Sequence, residues 1–114
     1  MSSSNWQNRL RDVLAAIAEI QEFTNGITFE EFQADRKTIR AMLYNLVIIG
    51  EAVRTIPPEV EFSNPEIPWS DVHGMRNIVI HEYFQVNLTI IWQTIQDDLI
   101  LLESSLRQLI DSYS

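Results

Sequence analysis

Residues Ile67 to Phe84 read I-P-W-S-D-V-H-G-M-R-N-I-V-I-H-E-Y-F. This stretch holds both histidines of the chain and one of its three tryptophans, with a second, Trp92, close by. Proline fits the first turn of a helix, where its missing N–H would be unpaired in any case, so Pro68 marks a helix start. Asp71 then places negative charge near the positive end of the helix dipole. The reading is a helix from about Trp69 to Tyr83, carrying Arg76, His81 and Tyr83 at the spacing R-x4-H-x-Y. Arginine can grip a phosphate in a two-pronged fork, and histidine can move protons near neutral pH. Tyrosine adds a hydroxyl that can be a ligand, an acid or a target of modification. Cleavage of an RNA phosphodiester without a metal needs these residue types.

The spacing also sets a geometric problem. Each residue of a regular helix turns about 100°. Asn77 and His81, four apart, share a face, and Arg76 and Tyr83, seven apart, share another. Arg76 and His81 stand roughly 140° from each other, so one straight helix does not aim both squarely at one phosphate. A reaching arginine, a helix that loosens near His81, or a second subunit would each solve this.

Outward from this stretch the chain reads as helices. Upstream, Leu10, Val13, Leu14, Ile17, Ile20 and Phe23 recur at helical spacing after the capping hydroxyls of Ser2 to Ser4, and Asn25-Gly26 ends the run. A helix from about Asn5 to Thr24 is expected. Thr28-Phe29-Glu30-Glu31 is a capping box and predicts a helical turn over Phe29 to Gln33. Asp35 can cap a longer helix to about Ile56, stopped by Pro57-Pro58. Its core stripe is Ile39, Met42, Leu43, Leu46, Val47, Ile49 and Val53, and the small Gly50 and Ala52 would let another helix approach. Glu59 to Pro68 reads as a loop within the domain. Asn87 can cap a last helix from Leu88 to about Ile110, with Ile91, Ile95, Leu99, Leu102, Leu106 and Leu109 on one side. The predicted architecture is all-α: an up-and-down bundle of about four main helices plus a short helical turn, one domain over residues 1–114.

Composition limits the functions. The 114 residues suffice for one domain, with 46% hydrophobic and 21% charged residues, an ordinary globular balance. There is no cysteine, so disulfides and thiolate metal sites are excluded and a cytoplasmic protein is the simplest reading. No apolar run approaches a membrane span, and Met1 to Trp6 lack the pattern of a secretory signal. The net charge of −8 argues against RNA held on a broad basic surface, so RNA chemistry would need a locally positive cleft. Trp6, Trp69, Phe84 and Trp92 exceed what one stripe of a small bundle is expected to bury, which predicts a homodimer.

G-M-R-N-I-V-I-H-E-Y-F resembles the signature of HepT-like proteins of the HEPN superfamily. The resemblance extends to T-F-E-E-F-Q-A-D-R-K-T, N-L-V-I-I-G-E-A and P-E-I-P-W upstream and to W-Q-T-I-Q-D-D-L downstream, covering Arg9 to about Leu109. It implies a small helical ribonuclease toxin of a type VII toxin–antitoxin system, paired with an MntA-like minimal nucleotidyltransferase antitoxin. It implies a homodimer in which the motifs of two protomers face one cleft and cut RNA, tRNA and mRNA both being open. No metal or other cofactor is implied. Arg76 and His81, with Asn77, take the catalytic positions, and Tyr83 is the implied acceptor of AMP from the antitoxin. Asn45 and Glu51, in N-L-V-I-I-G-E-A, are candidates for supporting the site. The chain departs from many relatives at Gln85, where they have glycine; the Arg, Asn, His and Tyr positions are intact.

Each residue also has a plainer reading. Taken singly, Arg76 would be a surface arginine paired with Glu82 or Asp71, and His81 a histidine satisfied by a backbone carbonyl. Tyr83 would be a packed ring, Asn77 a surface amide, and Asn45 and Glu51 buried polar groups with ordinary partners. Asp71, His73, His81 and Glu82 match no familiar metal-ligand spacing, so His73 is read as structural or surface and no metal site is assigned. The rival to the enzyme is a non-catalytic HEPN module that binds a nucleotide or a partner protein.

Overall fold

The structure, a computed structural model, describes residues 5–81 and 87–113. The side chains of residues 5, 78, 80 and 81 fall outside that description. Every regular element among the described residues is helical: α1 (Asn5–Thr24), α2 (Phe29–Ala34), α3 (Arg36–Val53), α4 (Pro58–Ser63), α5 (Trp69–His81), α6 (Leu88–Gln93), a π-helical turn (Thr94–Asp98) and α7 (Leu99–Ser112). The fold is an all-α bundle of the expected HEPN-like class. α3 is its middle member, packed by α1 on one side and α5 on the other, and α7 closes against α1.

Local sequence explains most element ends. α1 buries Trp6, Leu10, Val13, Ile17 and Ile20. Phe23 stays 40% exposed; the inward position of the last turn goes to Thr24, whose hydroxyl donates to the Ile20 carbonyl at 2.8 Å. Gly26 takes φ +80°, the left-handed turn that glycine adopts without strain, and the chain leaves α1 there. The capping box forms as read: Thr28 Oγ1 accepts from the Glu31 N–H at 3.1 Å, and Glu31 Oε1 accepts from the Thr28 N–H at 2.8 Å. Asp35 caps α3 by accepting from Thr38, through its N–H at 3.1 Å and its hydroxyl at 2.6 Å. These bonds to the ionised form hold the Asp35 carboxyl below its ordinary value, the Thr38 hydroxyl contributing most. Asn87 caps α6 with bonds from the N–H groups of Thr89 and Ile90.

Three expectations are corrected. The segment read as a loop from Glu59 to Pro68 contains α4. α3 ends at Val53, short of the expected Ile56, and Arg54 to Ile56 carry the chain in tighter turns to the proline pair, which begins α4 because Pro58 sits in the first turn, where its ring is tolerated. Val60 anchors this turn in the core. Second, the last helix is interrupted by the π turn at Thr94–Asp98. Ile91, Ile95 and Leu99 are all buried, and two successive four-residue steps overshoot a 3.6-residue helix by about 80° in total. A wider i→i+5 turn takes up that drift and keeps the three on the core side.

Third, the tryptophans are not surplus. Trp6 and Trp69 are buried, and Trp92 packs tilted against Phe29 and Phe32 at ring separations of 5.9 and 5.0 Å. The short α2 supplies those rings, and Trp69 is fixed by its Nε1–H donating to the Asn64 carbonyl at 3.0 Å. Phe84 lies outside the described residues. The most exposed large apolar side chains among the described residues are instead Phe62, Leu101, Tyr44 and Ile100. Among the described residues, no helix is long and apolar enough to cross a membrane.

Candidate functional site

α5 packs so closely on α3 that a side chain at Gly50 has no room. A Cβ there would lie 2.8 Å from the Arg76 backbone nitrogen and 2.9 Å from the Arg76 Cβ. Small residues permit such crossings, and this one places the root of Arg76 directly on α3. The next residue along α3 meets the other end of the side chain. Glu51 Oε2 is 2.6 Å from Arg76 Nε. The same carboxylate accepts two bonds from Arg54 Nη1, at 3.4 and 3.2 Å. The cluster Arg54, Glu51, Arg76 therefore carries one net positive charge on an acidic protein. Both side chains of the Arg76–Glu51 pair are about two-fifths exposed, so the pair borders solvent.

Among the described residues Arg76 pairs with Glu51 and not with Asp71, so the contact crosses from α5 to α3; Glu82, the other plain partner suggested, lies outside the described residues. Glu51, one of the two candidates for supporting the site, is the residue in contact with Arg76. Asn45 faces elsewhere. It is 3% exposed, and its amide donates to Glu19 Oε1 at 3.0 Å and to the Ala41 carbonyl at 2.9 Å, tying α3 to α1. Asn45 and Glu51 do share a groove of about 610 Å³ between α1 and α3, along with Arg9, Asp12, Glu19 and Tyr44.

Asn77 follows Arg76 on α5 and is exposed. α5 remains helical through His81, so its backbone does not loosen before that residue. The His81 side chain lies outside the described part of the structure, as do Glu82, Tyr83 and Gln85 entirely. His73 pairs with Glu61 at 2.9 Å and joins α5 to α4, in keeping with a structural reading. Among the described residues, no three His, Asp or Glu side chains gather in a way that could hold a metal ion.

Sequence reasoning missed Arg54 and the identity of the residue seated at Gly50. The Glu51–Arg54 pair was legible, since residues three apart on a helix are neighbours. Glycine at 50 signalled a close approach without naming the residue that approaches.

The ribonuclease HepT-like family profile matches residues 13–109. A protein of Thermococcus cleftensis named "Probable ribonuclease HepT" is 41% identical over 100 residues, covering 88% of this chain and 91% of that one. Two more, each named "Putative RNase", are 39% identical in Caldanaerobacter subterraneus subsp. tengcongensis and 40% in Methanocaldococcus jannaschii. The alignments cover 89% of this chain and 90% of the first, and 75% of this chain and 71% of the second. No solved structure matches the chain. With a profile spanning most of its length and relatives this similar end to end, the chain belongs to the ribonuclease HepT-like family.

Proposed function

We propose that the protein is a metal-independent endoribonuclease acting as the toxin of a type VII toxin–antitoxin pair. The observation that carries this reading is the cation at the α3–α5 crossing. Arg76 lies against Glu51 at Nε on the solvent border, and a guanidinium presents a fork of N–H donors that fits a phosphate. The ribose 2′-hydroxyl attacks the adjacent phosphorus, the 5′-oxygen of the next nucleotide leaves, and a 2′,3′-cyclic phosphate remains. His81 takes or gives the proton. Arg76 stabilises the charge gathering on the phosphoryl oxygens. Asn77, exposed one position further on, orients the phosphate or holds the His81 ring. Two protomers complete one cleft, which answers the angle between Arg76 and His81.

The antitoxin in this reading is a minimal nucleotidyltransferase that attaches AMP to Tyr83. A phosphate and an adenosine next to the Arg76 face would compete for the guanidinium and fill the cleft, inhibiting without unfolding. The net charge of −8 favours a second reading, a module that binds a nucleotide or partner without cutting.

One set of proteins separates these. Wild type, Arg76→Ala and His81→Ala are assayed on RNA in EDTA, with circular dichroism as the check on folding. The expected result is cleavage by wild type that the chelator leaves unchanged, and a loss of about 100-fold or more in each variant. Folded variants that cut like wild type remove the enzyme reading at these residues, and inhibition by EDTA removes the metal-free mechanism. Co-expression with the antitoxin should add one or more AMP masses to wild type and none to Tyr83→Phe. An adduct that persists in Tyr83→Phe excludes Tyr83 as the acceptor.

A further inference from the structure

Two consecutive residues of α3 hold the two ends of one arginine. The root of Arg76 lies against Gly50, where even a methyl group would collide with its backbone nitrogen and Cβ. The tip lies against Glu51, 2.6 Å from Nε. A surface arginine ordinarily samples many rotamers, and a lone exposed ion pair does little to restrain it. Here the backbone end is fixed by helix packing and the charged end by a carboxylate on the same neighbouring helix. The contact with Glu51 is at Nε, and the end-on edge of a guanidinium, formed by Nη1 and Nη2, is a separate edge of the same plane. That edge matches two oxygens of one phosphate.

Arg54 completes the arrangement. Alone, Glu51 would hold Arg76 and also cancel its charge, repelling the anion the fork is meant to take. The two bonds from Arg54 Nη1 supply a second cation, so one positive charge is left over. We infer that Gly50 and Glu51 are the positioning pair for Arg76, holding its fork ready for one phosphate, with Arg54 offsetting the charge of Glu51. The inference rests on the ribonuclease reading. It adds that the arginine is oriented before substrate arrives, so that little ordering remains to be done at the moment of reaction.

The test uses the full chain and compares Glu51→Ala and Glu51→Gln with wild type and Arg76→Ala. Rates are measured on RNA and normalised to the folded fraction. In parallel, inorganic phosphate is titrated while the Arg76 guanidinium NMR signals are followed. Misplacing a group of the site by about 1 Å can cost on the order of 100-fold in rate. Glu51→Ala should lose that much in kcat, and its Arg76 Nε signal should move to the position of a free arginine. Glu51→Gln keeps an oxygen that can accept from Nε and should recover most of the rate. A residue that merely stabilised the fold would lower the melting temperature in both variants and leave kcat per folded molecule unchanged. If wild type cleaves, Arg76→Ala does not, and Glu51→Ala matches wild type in kcat and KM, the positioning role is wrong while the ribonuclease reading stands. If wild type cleaves no RNA, that reading falls and the phosphate titration decides alone. Several-fold weaker phosphate binding in Glu51→Ala then supports the pair, and unchanged binding overturns it.

Discussion

At the scale of single residues, the two helical glycines make opposite predictions from the same substitution. Glycine in a helix interior costs roughly 0.5–1 kcal/mol relative to alanine, so Gly→Ala stabilises wherever the methyl group finds space. At Gly74 a Cβ would meet nothing within 4 Å. Gly74→Ala should therefore raise the urea midpoint. At Gly50 the methyl would sit 2.8 Å from the Arg76 nitrogen, and backbone in a packed crossing does not yield cheaply. Overpacking of this kind typically costs about 1–3 kcal/mol, which outweighs the gain in helix propensity. Gly50→Ala should lower the midpoint, and a rise would show that α5 can shift off α3 at little cost. Both glycines look alike in the sequence, and only the tertiary crossing separates them. The same limit applies to Arg76: R-x4-H-x-Y identified it as a candidate, but its partner lies on another helix 25 positions earlier, beyond the reach of spacing arguments.

Elements were more legible than contacts, because caps and periodicity are local chemistry. α1 ends at Thr24, as read from its apolar spacing and Asn25-Gly26, and the capping box at Thr28 forms with both of its bonds. The misreadings came where one signal had two meanings. A proline pair read as a stop also starts a helix, and an unbroken apolar stripe in the last helix concealed the wider turn needed to keep it straight. The cap of α3 gives a prediction with a sign in pH. Thr38 bonds lower the carboxyl of Asp35, so its native value lies below the ordinary 3.8 of the unfolded chain. The ionised cap contributes fully above the ordinary value, and its contribution is lost as pH falls through the lowered native one. Asp35→Ala should accordingly be less stable than wild type in urea at pH 7, and the gap should shrink as the medium is taken below the ordinary carboxylate range. A gap that stays constant down to pH 2 would falsify the ionised cap as its source.

At the scale of the whole molecule, the tension is between an acidic chain and an anionic substrate. A net charge of −8 leaves no broad surface for RNA, and the cluster at the α3–α5 crossing offers one positive charge per chain. Two copies facing one cleft would double it locally. The helix geometry argues in the same direction. α5 runs unbroken through His81, so the backbone positions of Arg76 and His81 stay roughly 140° apart around it. The Arg76 guanidinium lies against Glu51 on α3, so reaching toward the histidine of its own helix would mean leaving that contact. The proposal of a shared site therefore predicts that function can be rebuilt from two dead parts. Arg76→Ala keeps His81, and His81→Ala keeps Arg76. If each site draws its arginine from one protomer and its histidine from the other, a mixed dimer has one intact site and one doubly broken one. Random exchange makes half of the dimers mixed, so the mixture should recover roughly a quarter of the wild-type rate in a symmetric dimer. If each protomer carries its own complete site, mixing restores nothing. The variants are unfolded and refolded together so that subunits exchange, light scattering confirms the dimer, and RNA cleavage is followed with each variant alone as the baseline. No recovery from a verified mixed dimer, or a fully active monomer in the wild type, would rule out the shared cleft and return the orientation problem to a single helix.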